Sequence, residues 1–302
     1  MASEVAVYFI KGGGMIRIGI VGSDNSHAIS FSKLCNREDV PGHVKGAKVL
    51  YLFGFDEARN KEVAEEGAIP EIVSDPKEML GKVDAVMVVF RHGDLHVKYA
   101  LPFISAGIPT FVDKPFSIKP SDARRMIAAA EKARTPITSY STLRFATKTV
   151  KFIGSLEEIA PVTAGVSAGP ADRGSEYGGI FFYGVHAVEL MLATFGTGVK
   201  SLRAVEHGKN VLAAVRYGDG KLVALELLGD AKPGFHLVAY GQGARAHEVD
   251  TSTCYREGMK VFLRMVRTGE PPIPYDEMLM SVEVLQAVER SLRTGREVRV
   301  GG

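Results

Sequence analysis

A lysine set between an apolar strand and a proline is the residue of this chain best placed to do chemistry. Lys114 stands in the run Thr110-Phe111-Val112-Asp113-Lys114-Pro115-Phe116. Pro115 fixes its own φ, removes a donor and biases Lys114 away from helix, so the ammonium leaves the strand at a defined point. In open α/β sheets ligands bind outside the carboxyl ends of the strands. An ammonium held there can stabilise negative charge developing on a reacting oxygen. His186 is the second candidate, within Gly178-Gly179-Ile180-Phe181-Phe182-Tyr183-Gly184-Val185-His186-Ala187-Val188-Glu189. Its ring titrates near working pH and suits a general base, and Glu189 lies one helical turn on, on the same face.

Two further runs suit a bound dinucleotide. Gly19-Ile20-Val21-Gly22-Ser23-Asp24-Asn25-Ser26-His27 closes a strand and opens a helix. Gly22 fits the first glycine of a dinucleotide fingerprint, while Asp24 and His27 hold the places of the second and third. The polar turn Ser23-Asp24-Asn25-Ser26 can cap the helix, whose N-terminus attracts anions. Asp56, expected at the end of the second strand, can accept hydrogen bonds from both ribose hydroxyls of NAD and repel the extra phosphate of NADP. Arg59 lies close enough that NADP stays open. After the fourth strand comes Phe90-Arg91-His92-Gly93-Asp94-Leu95-His96. That loop is expected to line the nicotinamide end of the cofactor site, with His96 packing at a helix start. No cysteine or glutamate completes a metal site there, so no metal is expected.

These residues need a scaffold, and the first half of the chain supplies its rhythm. Strand-like runs at 16–21, 49–55, 72–73, 83–90, 110–112 and 137–139 alternate with helix-like runs. The helical runs are one after Ser26 to about Asn36, 58–66, a short one from 75, 96–106 and 120–133. Such alternation implies a Rossmann-type, doubly wound parallel sheet. Beyond residue 140 strands follow one another, at 162–168, 200–205, 211–216, 222–228 and 235–240, with helices at 185–194, 255–267 and 275–293. Tyr217-Gly218-Asp219-Gly220 is a hairpin turn between two of those strands. The expected organisation is a tail at 1–14, a dinucleotide-binding domain at 15–139, and an α+β domain with a mostly antiparallel open sheet at 140–302. Met15 is a plausible natural start.

Composition narrows the classes. The chain has 302 residues, 46% of them hydrophobic, enough for two cores. A net charge of +2 offers no footprint for nucleic acid or membrane. No apolar run has the length of a bilayer span and no signal peptide is evident. Two distant cysteines, Cys35 and Cys254, fit a reducing cytoplasm. Four asparagines and two glutamines are few, a pattern of thermophilic proteins.

Together these runs resemble the Gfo/Idh/MocA family of NAD(P)-dependent oxidoreductases, from residue 16 to about 300. The family carries Glu-Lys-Pro after its fifth strand, where this chain has Asp113-Lys114-Pro115. It carries Asp-x-Gly-x-His-x-x-Asp in its second domain, where this chain has Phe182 through Glu189. The resemblance implies NAD as cofactor and a sugar, cyclitol or related polyol as substrate. It implies that Lys114 holds the reacting hydroxyl, that His186 takes its proton, and that Arg144 borders the substrate pocket. Phe182 replaces the family's catalytic Asp, and Tyr183 offers a hydroxyl instead. A homodimer or homotetramer formed through the second domain's sheet is implied as well. The lost carboxylate and glycines leave a rival open, a non-catalytic cofactor- or sugar-binding sensor on the same fold.

Overall fold

A computed structural model of the chain describes residues 14–231 and 234–301. The tail expected at 1–14 lies, but for its last residue, outside the described residues. Strand and helix alternate as the patterning requires: β1 (Ile16–Val21), α1 (Ser26–Asn36), β2 (Ala47–Phe53), α2 (Glu57–Gly67), β3 (Glu71–Ile72), β4 (Ala85–Val88), α3 (Asp94–Ser105), β5 (Thr110–Val112), α4 (Pro120–Ala133) and β6 (Ile137–Thr138). All six strands are parallel, in the order β3-β2-β1-β4-β5-β6. This is the strand order of dinucleotide-binding sheets, with the topological switch at β1 and β4. Both strands are buried along nearly their whole length, with only Arg17 of β1 exposed. Ile18, Ile20, Val86 and Val88 are wholly buried.

The second half follows with α5 (Thr147–Gly154), β7 (Ala164–Pro170), α6 (Phe181–Phe195), β8 (Val199–His207), β9 (Asn210–Tyr217), β10 (Leu222–Leu228), β11 (His236–Tyr240), β12 (Ala244–Glu248), α7 (Cys254–Thr268), α8 (Tyr275–Thr294) and β13 (Val298–Arg299). Its sheet runs β12-β11-β7-β10-β9-β8-β13. Only the β7–β10 pair is parallel, so the sheet is mixed and mostly antiparallel, as expected. Strict alternation puts Val211, Ala213, Val215 and Tyr217 of β9 inward and Leu212, Ala214 and Arg216 outward. The apolar helix α6 packs against β7 and β10. The strand β12, with Arg245, His247 and Glu248 among its five residues, and the two-residue β13 carry no periodic signal in the sequence.

The chain forms two compact units. The described residues up to Ser117, with Ser121–Tyr140 and Tyr255–Tyr275, make the first; Ile118–Pro120, Ser141–Cys254 and the residues from Asp276 onward make the second. Helix α7 therefore returns to the first unit after the second has been built. Its buried face, Met259, Phe262, Leu263 and Val266, recurs at helical spacing. Phe262 meets Phe111 with ring centres 5.8 Å apart, and Tyr140 meets Phe111 at 5.1 Å. The buried Tyr140 hydroxyl donates to the Gly258 carbonyl at 2.8 Å, tying the chain after β6 to α7. Tyr140→Phe keeps the ring and removes that donor. It should cost about 1 kcal/mol, read as a lower denaturation midpoint at unchanged m-value.

Candidate functional site

At the switch point Gly22 ends β1 with φ at +115°. A Cβ there would lie 2.7 Å from the Phe90 nitrogen, so the turn must pass directly against the backbone leaving β4. Ser23 follows, buried, its carbonyl accepting Arg59 Nε at 3.0 Å. Asn25 caps α1, accepting the His27 N–H at 3.2 Å on Oδ1. Asp24 was a candidate for that cap and is placed otherwise. Its Oδ2 accepts the Arg91 N–H at 3.2 Å, fastening the loop after β4, and its Oδ1 is buried with no partner among the described residues.

The Asp113 carboxylate, buried at the end of β5, gathers the turn and the lysine. Its Oδ2 accepts Asn25 Nδ2 at 2.9 Å and meets His27 Nδ1 at 2.6 Å; its Oδ1 accepts the backbone N–H of Lys114 at 2.8 Å. His27 must be the donor there, because an ionised carboxylate only accepts. Burial by itself would push the Asp113 carboxyl up, but His27, Lys114 and His96 outweigh it and hold the group below the ordinary carboxylate range. The His27 ring rests on Phe31 at 5.3 Å and on Tyr255 of α7 at 5.2 Å. Where the fingerprint uses a third glycine for close packing of helix on strand, this chain spans the distance with a ring. Lys114 itself is buried and follows Asp113 directly, before a cis bond to Pro115.

His96 enters the first turn of α3, as expected. Its Nε2 lies 2.9 Å from the Phe90 carbonyl and its Nδ1 2.9 Å from the Pro115 carbonyl. It thereby joins the loops after β4 and β5 from beneath. Burial pushes its ring down from the ordinary histidine range, against the pull of the Phe90 and Pro115 carbonyls and of Asp113. His92 Nδ1 accepts the Asp94 N–H at 3.2 Å and helps open α3.

Asp56 lies elsewhere than the strand reading put it. β2 stops at Phe53, and Asp56 is the N-cap of α2, accepting the Arg59 N–H at 2.7 Å. The place directly after β2 belongs to Gly54, where a Cβ would lie 2.0 Å from Ser23 Oγ and 2.2 Å from Asn60 Oδ1. Phe55, exposed, stacks on Phe90 at 5.1 Å and 19°. Sequence reasoning missed this aromatic ledge, because exposed aromatics have no periodicity to betray them. Asp56 remains an exposed carboxylate at the carboxyl edge of the sheet.

The second unit holds the other candidates. His186 sits on α6 beside Tyr183 and Phe235, with ring centres at 5.7 and 5.3 Å. Its Nδ1 is 2.6 Å from the hydroxyl of Ser141. Glu189, one turn on and buried, accepts the Ser141 backbone N–H at 2.5 Å. Arg144 is committed to carboxylates, with Glu277 at 2.5 Å and Glu189 at 3.8 Å. Phe182 packs against Tyr177 at 5.0 Å, and Tyr183 is exposed. Ser141 and Glu277 were missed in the sequence, having neither motif nor spacing to mark them. No cluster of three potential metal ligands occurs among the described residues.

The residues at the switch point fit a dinucleotide. Gly22 lets the turn pass against the Phe90 backbone, the capped N-terminus of α1 follows directly, and Asp24 Oδ1 is a buried acceptor with no partner among the described residues. The Asp113 clamp also has a thermodynamic signature. Its folded pKa is depressed, so the unfolded chain binds the proton more tightly, and stability gained above the unfolded value of about 4 is lost as pH falls through the folded one. Asp113→Asn should remove that acid-side slope. It should also cost about 3 kcal/mol or more at neutral pH, since His27 and Lys114 lose their partner charge. Denaturation midpoints measured from pH 3 to 7 on both proteins check this.

Comparison with known proteins agrees with this geometry. Residues 16–140 match the model of the Gfo/Idh/MocA oxidoreductases, described as an oxidoreductase family with NAD-binding Rossmann fold. Inositol 2-dehydrogenase of Paracoccus denitrificans (strain Pd 1222) is 30% identical over 135 residues, 43% of this chain and 36% of that protein. The uncharacterized oxidoreductase YhhX of Escherichia coli (strain K12) is 28% identical over 225 residues, 66% of this chain and 64% of that protein. Both alignments thus span less than two thirds of the relative's length. Scyllo-inositol dehydrogenase from Lactobacillus casei, solved with bound NAD(H) and scyllo-inositol, superposes with a TM-score of 0.83 at 14% identity, over 95% of this chain and 100% of that one. The chain thus carries, over residues 16–140, the NAD-binding Rossmann module that this family's model describes, and it shares its fold along nearly its whole length with a solved inositol dehydrogenase.

Proposed function

We propose that the protein is an NAD-dependent dehydrogenase acting on a hydroxyl of a sugar, cyclitol or related polyol, or on the corresponding ketone. One observation carries the reading most directly. The turn suited to a dinucleotide and the lysine suited to chemistry share one buried carboxylate, Asp113. Relatives named inositol 2-dehydrogenase support the cyclitol class.

In this reading Gly22, Ser23 and the N-terminus of α1 receive the pyrophosphate, and Asp56 takes the ribose hydroxyls. Asp24 and the loop of Phe90, Arg91 and His92 line the nicotinamide end. His96 and Asp113 hold that frame in place. NAD, when bound, supplies the hydride acceptor. Lys114 binds the reacting oxygen and stabilises the negative charge it develops, a contact in a water-poor site that contributes about 3–4 kcal/mol to the barrier. In the second unit His186, Tyr183 and Arg144 are the candidate substrate-side residues. Lys114→Ala should lower turnover of a cyclitol by about two to three orders of magnitude while NAD affinity, by calorimetry, stays within about twofold, because the Asp113 clamp uses the backbone of residue 114. Undiminished turnover would remove Lys114 from the mechanism, and no binding of NAD or NADP would favour the sensor.

The outer face of the second sheet supports self-association. Val205, Leu212, Leu222 and Tyr240 are exposed on its strands, and apolar patches of that kind mark protein interfaces. We read it as the contact of a homodimer or homotetramer. Leu212→Glu should shift the mass measured by light scattering to that of the 32.6 kDa monomer. Two buried cysteines, with the Cys35 thiol pushed up to about 12 by burial, suit the cytoplasm, and no helix among the described residues is long and apolar enough to cross a membrane.

A further inference from the structure

We infer that Ser141 holds His186 as the tautomer carrying hydrogen on Nε2, so that the ring gives a substrate oxygen a hydrogen bond and does not take its proton. The word substrate rests on the dehydrogenase reading above. The tautomer follows from the second unit alone.

Ser141 is wholly buried, and each of its polar groups can be followed. Its N–H goes to Glu189 at 2.5 Å, and its carbonyl accepts the Arg144 N–H at 3.3 Å. Its hydroxyl has one partner among the described residues, His186 Nδ1 at 2.6 Å. A serine hydroxyl has one hydrogen to donate, and a buried donor left unmatched costs about 1–3 kcal/mol. With Nδ1 as its acceptor, the hydroxyl donates and Nδ1 must present its lone pair. A neutral imidazole then carries its hydrogen on Nε2. The opposite tautomer would set an N–H against the oxygen and leave the buried O–H with nothing to bond.

A carboxylate at the same nitrogen would act in reverse. It only accepts, so it would hold hydrogen on Nδ1 and leave Nε2 bare, the arrangement of a general base. This chain has no acid on the turn of α6 before His186, where Phe182 packs into an aromatic cluster with Tyr177 and Tyr183. Glu189 spends Oε2 on the backbone of Ser141. The aromatic at 182 and the serine at 141 therefore point the same way, toward a ring that binds and polarises. The proton released when a hydroxyl is oxidised then passes to solvent.

Multiple-bond ¹⁵N–¹H NMR of the full chain with labelled histidine, without substrate and at neutral pH, reads the tautomer directly; His186→Gln assigns the signals. Wild type should show Nε2 protonated and Nδ1 bare. Ser141→Ala should mix the two tautomers, and Ser141→Thr, which keeps the hydroxyl, should restore the wild-type pattern. In turnover, Ser141→Ala should raise the polyol KM about five- to tenfold and leave that for NAD unchanged. A wild-type ring protonated on Nδ1 overturns the inference, as does a pattern unmoved in Ser141→Ala. If that variant does not fold, the wild-type and Ser141→Thr spectra still decide. The expected tautomer in a protein that turns over no polyol would sink the dehydrogenase reading and spare this one.

Discussion

The Asp113 carboxylate is the contact on which the first unit's candidate site depends. It is buried at the end of a central strand and receives three donors, from Asn25, His27 and the backbone of Lys114. Each alone is an ordinary hydrogen bond. Their effect comes from convergence, since a buried charge is tolerable only when its lone pairs are filled. Removing any donor makes the other two more expensive to keep, so the turn after β1 and the exit from β5 hold or fail together.

That convergence also accounts for the departures from the fingerprint. A third glycine serves close packing of the helix on the strand. His27 cannot serve it in that way, yet the ring reaches Asp113 and rests on Phe31 and Tyr255. Aspartate is one methylene shorter than the glutamate that the resemblance leads one to expect, and the imidazole covers the remaining distance. The two substitutions look independent in the sequence, 86 residues apart. In the folded unit they are one interaction. Tyr255 belongs to α7, so the helix that returns late in the chain completes the wall behind this pair.

The scaffold was legible because periodicity records burial. β1, β5, α4 and β10 were read to the residue, and errors elsewhere were mostly of one or two positions. The placement of the candidate residues was legible where they fall at a strand end, as at Gly22, Asp113 and Lys114. It failed where a boundary shifted. Reading β2 two residues too long put Asp56 at the strand end, when it caps α2 and Gly54 holds that place. An apolar Phe55 next to an apolar strand gives no warning that it is an exposed ring stacked on Phe90. Ser141 was illegible for a different reason. A single hydroxyl acts through a partner 45 residues away, and nothing local distinguishes it from the neighbouring Ser139.

A common device runs through both units. Asp113 accepts the backbone N–H of Lys114, and Glu189 accepts the backbone N–H of Ser141. In each case a buried carboxylate fixes main chain, and the candidate side chain, Lys114 or Ser141, is carried on that fixed point. Backbone anchoring separates position from identity. The side chain at 114 or 141 can change while the carboxylate keeps its donor, so the scaffold survives substitutions that alter the chemistry. Loss of the acid at 182 then need not empty the site. With Ser141 already held by Glu189, one hydroxyl is enough to orient His186, and the exchange of an accepting partner for a donating one changes what the ring offers without moving it.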